Sequence, residues 1–263
     1  MKNVLVVVML MAACVVANAA LVSEYNASAE TQKPGALGWT MWGSESTQAV
    51  DMGNYLLLNT NNDVDAANAG DNLYWRSPVG TPMTSGVSSY GIEVKMRPVD
   101  DWISTGYSYE SSNISISWSD NVSWYQISID KDKDDAGAGT VGRIVKSKYG
   151  YDTIVDNIDW SVARTVGIGY DPANNQFNFY VDGVLGGTWA SADLALGAVH
   201  APYRDKVIFG DSTTGGGNGT VGPDYNSEWY SVKLYSTASE VIPEPATIAL
   251  LTVGGLLGLR RKS

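Results

Sequence analysis

Short apolar runs separated by turn-forming residues make up the chain between residues 37 and 237. The runs are rich in Val, Ile, Tyr and Trp, the clusters between them are rich in Gly, Asn, Asp and Ser, and no long stretch repeats its apolar residues every 3.6 positions. This pattern predicts an all-β protein. We expect strands at residues 55–59, 73–76, 90–97, 113–118, 124–130, 142–146, 153–157, 165–170, 176–181, 206–210 and 229–235.

Alternation of apolar and polar residues indicates strands that bury one face. Residues 114–118 read Ile, Ser, Ile, Ser and Trp, and Phe177, Phe179 and Val181 alternate with polar or amphipathic neighbours. Asp182-Gly183 is a preferred two-residue hairpin tip. The sequence therefore predicts a two-sheet antiparallel sandwich with its core between the sheets.

The first nineteen residues have the pattern of a secretory signal peptide. Lys2 supplies the basic start, Val4 to Val16 is apolar, and Ala17-Asn18-Ala19 is a small-x-small cleavage site. We expect cleavage after Ala19. Two alternatives are a retained membrane anchor, for which thirteen apolar residues are short, and a lipoprotein signal acylated at Cys14.

A second targeting signal is predicted at the other end of the chain, in residues 238–263. Pro243-Glu244-Pro245 precedes the apolar run 246–259, which stops at Arg260, Arg261 and Lys262. The run predicts a short transmembrane helix, and the basic cluster predicts that its end stays in the cytoplasm with the folded domain outside. Fourteen residues span about 21 Å as a helix, against a bilayer core of about 30 Å, which favours a processed tail over a lasting anchor.

The tail from Val241 to Ser263 resembles the PEP-CTERM sorting domain, on its Pro-Glu-Pro motif, glycine-containing apolar stretch and terminal arginines. The resemblance implies that Pro243, Glu244 and Pro245 are recognised by a membrane-embedded exosortase. It also implies transit through the inner membrane, then delivery to the cell surface or to an extracellular polysaccharide matrix. A plain tail anchor that happens to contain Pro-Glu-Pro is the alternative.

The middle of the chain, residues 20–237, resembles the concanavalin A-like or laminin-G-like jelly roll. The resemblance rests on residues 164–171 with their Arg-x-Val, on 178–184 with Tyr-Val-Asp-Gly, on 208–211 and on the closing run 228–235. It implies one jelly-roll domain, of a fold that hosts many functions.

Composition excludes several classes of function. Without residues 1–19 and 243–263 the chain keeps thirteen basic and twenty-seven acidic residues, so it repels nucleic acid. Cys14 is the only cysteine and lies in the leader, and His200 is the only histidine. The mature domain therefore lacks the residues of a disulfide, a thiol nucleophile or a Cys-rich or His-rich zinc site.

No catalytic residue is assigned from the sequence. The Glu-x-Asp-x-x-Glu motif of jelly-roll glucanases is missing, and no nucleophile elbow accompanies His200. We therefore expect a noncatalytic surface or matrix protein, with glycan binding as its active role. The alternative is a secreted hydrolase acting on polysaccharide, whose two carboxylates would meet through the fold.

Candidate ligand sites are few, and we expect no cofactor or metal. Trp102 and Trp160 lie near predicted turns, where an aromatic face can stack on a sugar, and they are the candidate glycan-binding residues. Asp130, Asp132, Asp134 and Asp135 resemble the start of a calcium loop, but the glycine and the closing glutamate of an EF-hand are missing. A calcium-dependent lectin-like module therefore stays open as a further alternative.

Overall fold

The structure is a computed structural model of the 263-residue chain. It describes residues 20–28, 33–42, 49–59, 72–78, 83–84, 86–99, 114–131, 141–146, 152–199, 204–212, 226–238 and 241. The predicted signal peptide, the Pro-Glu-Pro motif and the apolar tail lie outside these residues.

The described residues form sixteen strands, one short helix and one turn of 3₁₀ helix at Pro34–Leu37. The strands are β1 (Leu21–Asn26), β2 (Thr40–Trp42), β3 (Ala49–Asp51), β4 (Leu56–Asn59), β5 (Asn72–Arg76), β6 (Tyr90–Pro98), β7 (Ser115–Ser119), β8 (Ser123–Lys131), β9 (Val141–Lys146), β10 (Thr153–Asp159), β11 (Arg164–Asp171), β12 (Gln176–Val181), β13 (Val184–Ala190), β14 (Ala195–Ala198), β15 (Lys206–Ser212) and β16 (Asn226–Tyr235). The helix α1 spans Ser191–Leu194.

The strands form two antiparallel sheets of eight strands each. Sheet A has the order β13-β12-β11-β6-β16-β4-β3, with β1 pairing along the second half of β16. Sheet B has the order β10-β9-β8-β7-β15-β5-β2, with β14 pairing with β8. The sandwich and its antiparallel pairing confirm the fold class predicted from the alternation.

Two groups of aromatic rings fill the core between the sheets. Phe177 lies 4.9 Å from Tyr125 and 5.0 Å from Tyr170 between ring centroids. Phe209 lies 5.0 Å from Trp229 and 5.3 Å from Trp39. Burying one such ring stabilises the fold by about 1.5 to 3 kcal/mol, and the two groups join both sheets into one core.

All eleven predicted strands are present, with ends that differ by at most three residues, and the strand 176–181 has the predicted ends. The prediction missed β1, β2, β3, β13 and β14. The hairpin tip is confirmed, because Val181 pairs with Val184 and both Asp182 and Gly183 have positive φ. Within the described part of the chain, no helix has the length and apolar character needed to cross a membrane, and the predicted helix 246–259 lies outside that part.

Candidate functional site

The outer face of sheet B, turned away from the core, carries a row of buried serines. Ile116 and Trp118 of β7 point into the core, so Ser115, Ser117 and Ser119 face outward. These three serines are nevertheless only 1 to 3% exposed. Ser128 of β8 pairs with Ser115 and is 2% exposed. We call Ser115, Ser117, Ser119 and Ser128 the serine face; its residues point away from the core and are nevertheless covered by neighbouring atoms.

An aromatic ring lies at one side of the serine face. Tyr74 of β5 crosses over Gly210 of β15, and the Ser115 hydroxyl donates to the Tyr74 hydroxyl at 3.3 Å. A Cβ atom at Gly210 would lie 2.8 Å from Cδ1 of Tyr74 and would collide with the carbonyl oxygen of Leu73. Gly210 also has a φ of 150°. Only glycine fits there, and its missing side chain lets the tyrosine ring lie across the strand.

Cationic and amide side chains complete this surface. Residues that are directly paired across a sheet lie on the same face. Lys206 pairs with Ser119, and Arg76 pairs with Ile208, which in turn pairs with Ser117. Arg76 and Lys206 therefore lie on the same outer face as the serines. Burial, and then the charge of Arg76, lowers the pKa of the Lys206 ammonium. Gln126 pairs with Ser117 from the other side and is half-buried. The surface thus combines hydroxyls, an amide, cations and an aromatic ring.

A buried carboxylate holds the turn between the two serine-bearing strands. Asp120 is 1% exposed and accepts hydrogen bonds from the amides of Val122 and Ser123 at 2.7 and 2.6 Å. It also accepts a hydrogen bond from the Tyr125 hydroxyl at 2.9 Å, and burial raises the pKa of that phenol well above its ordinary value. The turn is thereby fixed, and with it the register of β7 against β8.

Two carboxylates on the outer face of sheet A, Glu228 and Glu93, are paired with cations. Glu228 accepts a bidentate interaction from Arg97 at 2.8 and 2.6 Å and a hydrogen bond from the Tyr230 hydroxyl at 2.8 Å. Glu93 accepts from Lys233 at 2.9 Å. Glu228 lies opposite Arg97, four residues along β6 from Glu93, so the Cα atoms of the two acids are about 13 Å apart along the strands. Each carboxylate is held by its own cation, Arg97 or Lys233, and the two are not brought together by a shared partner.

The structure moves one predicted glycan-binding residue off the surface. Trp160 is 4% exposed and belongs to the core, because the turn after β10 folds inward. Its ring is therefore not available for stacking on a sugar. The remaining candidates lie outside the described residues: Ala17, Ala19, Trp102, Asp132, Asp134, Asp135, His200, Pro243, Glu244, Pro245, Arg260, Arg261 and Lys262.

Sequence reasoning missed the serine face. The alternation at 114–118 predicted correctly which residues enter the core, but it treated the serines as ordinary solvent-facing positions. Their strand neighbours include β5 and β15, which are distant in sequence and which the alternation could not reveal. Among the described residues no three His, Cys, Asp or Glu side chains are grouped as a metal site would require.

The sandwich is similar in fold to several solved structures. A structure from work on human gut microbiota members that express endo-acting O-glycanases to initiate mucin breakdown matches 82% of this chain and 99% of its own, with a TM-score of 0.52 and 13% identity. A Crh5 transglycosylase matches 84% of this chain and 87% of its own, with a TM-score of 0.50 and 14% identity. A sialidase matches 85% of this chain with a TM-score of 0.50 and 12% identity, and this chain spans only 19% of its length. Neither the protein-family models nor the curated proteins contain a match.

These comparisons contradict the expectation of a noncatalytic protein. That expectation rested on the missing Glu-x-Asp-x-x-Glu motif and the lack of a nucleophile elbow. The sandwich, however, is similar to the structure from the O-glycanase work, to a transglycosylase and to about a fifth of a sialidase chain. Because a fold can gather its reacting groups from separate strands and loops, a missing local motif is no ground for excluding catalysis. At 12 to 14% identity the likeness establishes the fold, and no activity is carried over with it.

Proposed function

We propose that this protein is a secreted hydrolase acting on polysaccharide, and that the serine face of sheet B holds the sugar chain. The observation that carries the proposal is a row of four serines, at 1 to 3% exposure, on a face turned away from the core. An outward row of short hydroxyl side chains below longer neighbours forms a floor. The fold shared with glycan-processing enzymes supports the same reading.

The chemistry of the floor suits a saccharide. Serine hydroxyls and the Gln126 amide both donate and accept hydrogen bonds, as sugar hydroxyls do. The half-buried Tyr74 ring offers a face that complements the apolar side of a pyranose. Arg76 and Lys206 favour sugars that carry carboxylate or sulfate groups.

Hydrolysis requires a carboxylate beside this floor. Asp130 occupies the next position of the alternation on β8 after Gln126 and Ser128, where it pairs with Arg143 of β9. Its position in the strand register makes Asp130 the first carboxylate to test as the acid or base of the reaction.

The test is turnover of neutral and acidic polysaccharides by the purified protein, measured as new reducing ends. We expect Asp130→Asn to lower kcat by about 10² to 10⁴ while binding persists. Filling the floor with Ser117→Leu should weaken binding at least about tenfold. The matched control is Lys95→Ala, an exposed position on the opposite sheet. Absence of turnover on every substrate, or serine-face variants that behave like the control, would contradict the proposal.

The proposal extends to export and sorting. The leader at residues 1–19 and the Pro243-Glu244-Pro245 tail support secretion, recognition by an exosortase-type enzyme in the membrane, and delivery to the cell surface or matrix. The described sandwich continues to Val241, two residues before the motif, so the motif directly follows the folded domain. Intact-mass spectrometry of the mature protein should show a chain that begins at Ala20 and lacks the segment 246–263. A mature chain that still ends at Ser263 would refute the processing step.

A further inference from the structure

Three glycines lie together on the outer face of sheet A. Gly91 of β6 pairs with Gly169 of β11, and Gly167 pairs with Glu93 two positions further along. None of the three has a positive φ, so backbone conformation does not explain why they are glycine. Glycine inside a strand weakens the sheet, and its usual structural reason is the close approach of another segment. We call Gly91, Gly167 and Gly169 the glycine platform.

The approaching segment is the end of the described chain. A Cβ atom at Gly91 would lie 2.9 Å from the Thr237 carbonyl oxygen and 3.2 Å from Cγ1 of Val241. A Cβ atom at Gly169 would lie 3.2 Å from Cβ of Ala238, and one at Gly167 would lie 3.3 Å from the Val241 carbonyl oxygen. Side chains at these three positions would therefore crowd Thr237, Ala238 and Val241, which pack directly against the glycine backbone.

Hydrogen bonds and burial hold this segment in place. The Ala238 amide donates to the Ser89 hydroxyl at 2.9 Å, and the Val241 amide donates to the Ala238 carbonyl at 3.2 Å, which closes a turn. Val241 is only 5% exposed, although it lies outside the core between the sheets. A recess of about 370 Å³ opens beside Val241, between Glu93 and the Tyr180 to Gly183 end of the β12–β13 hairpin.

We propose that Thr237, Ala238 and Val241 form a strap docked on the glycine platform, which fixes the point where the C-terminal segment leaves the domain. Pro243 follows Val241 by two residues, so it starts within about 7 Å of the docked valine. The exit point lies on sheet A, on the opposite side of the sandwich from the serine face. Where the tail attaches the protein to a surface, the serine face points away from that surface, toward polymeric glycans. This orientation rests on the proposed function.

A disulfide between platform and strap tests the docking. In a full-length Cys14→Ser background, Gly169→Cys with Ala238→Cys places two Cβ atoms close to the distance that a disulfide requires. We expect nearly complete intramolecular crosslinking under mild oxidation, identified by peptide mass. The control pairs Ala238→Cys with Gly197→Cys on β14, where nothing lies within 4 Å, and should keep its thiols. Equal reactivity of both pairs with maleimide in folded protein would overturn the proposal.

Two further measurements do not depend on the cysteine variants. In the unaltered protein, hydrogen exchange at Ala238 and Val241 should be slowed relative to the unstructured peptide rate, and exchange at that rate would overturn the docking. Gly169→Ala should lower Tm by about 2 to 12 °C through overpacking, and adding Ala238→Gly should restore most of that loss. No restoration would contradict the contact. None of these readouts requires glycan turnover or sorting. A negative result for the docking of the strap is therefore distinguishable from a negative result for the proposed function.

Discussion

Gly210 decides the shape of the serine face at the scale of a single residue. We predict that Gly210→Ala lowers the free energy of unfolding by about 3 kcal/mol or more, because a Cβ atom there meets both the Leu73 carbonyl and the Tyr74 ring at a glycine-favoured φ. Urea denaturation followed by fluorescence measures the loss. Gly197→Ala is the control, since its side chain would meet nothing within 4 Å. Equal stability of the two variants would show that Tyr74 does not lie over Gly210.

Tyr230 gives a residue-scale prediction on pH. Burial, and then its hydrogen bond to Glu228, raises the pKa of the Tyr230 phenol to about 12. A phenol with a higher pKa in the folded state than in the unfolded state contributes stability that is complete below about pH 10 and is lost as pH rises toward 12. Tyr230→Phe should therefore remove one late step from the ultraviolet titration of the tyrosines and flatten the fall of stability over that range. If the lost step lies near pH 10, the ordinary range of a phenol, the Glu228 contact is contradicted.

The residue scale also shows where sequence reasoning stopped. Trp118 and Trp160 are both tryptophans near strand ends, and the alternation around Trp118 placed it correctly in the core. No alternation surrounds Trp160, so its proximity to a turn predicted exposure, whereas long-range packing buries it. A turn position says little about burial unless the strands that cover it are known.

At the scale of elements, strands with clear alternation were predictable and short strands at the margins were not. β2 and β3 have three residues each, too few to show a period of two. β13 contains Gly186 and Gly187, which lower its strand propensity. These elements are strands because longer neighbours offer them hydrogen bonds, and that information is not local.

The two glycines of β13 have a structural role that can be tested. β13 and β10 are end strands of different sheets, and a Cβ atom at Gly187 would collide with the Ile154 carbonyl oxygen. We predict that Gly187→Ala separates the two strands and lowers Tm by about 2 to 12 °C, as overpacking of a close contact does. Differential scanning calorimetry checks the shift. A change no larger than that of Gly197→Ala would show that the sandwich does not close through this contact.

At the scale of the whole molecule, the two outer faces of the sandwich differ in what they carry. Sheet A carries the paired acids Glu93 and Glu228 and the docked strap, whereas sheet B carries the serine face with Tyr74 and its cations. The sequence predicted the sandwich, and the signals at both ends stay predictions. It did not predict this division, because which residues share an outer face depends on strand order, and strand order brings β5, β15 and the β7–β8 hairpin together from three separate regions of the chain.

In the proposed function, a glycan binds on the outer face of sheet B. Hydrogen exchange measured by mass spectrometry, with and without a polysaccharide that the protein turns over or binds, tests it most directly. We predict that the sugar slows exchange in β5, β7, β8 and β15 and leaves β6, β11 and β16 unchanged. Slowed exchange confined to sheet A, or no slowing in β7 and β8 at saturating sugar, would contradict glycan binding on sheet B.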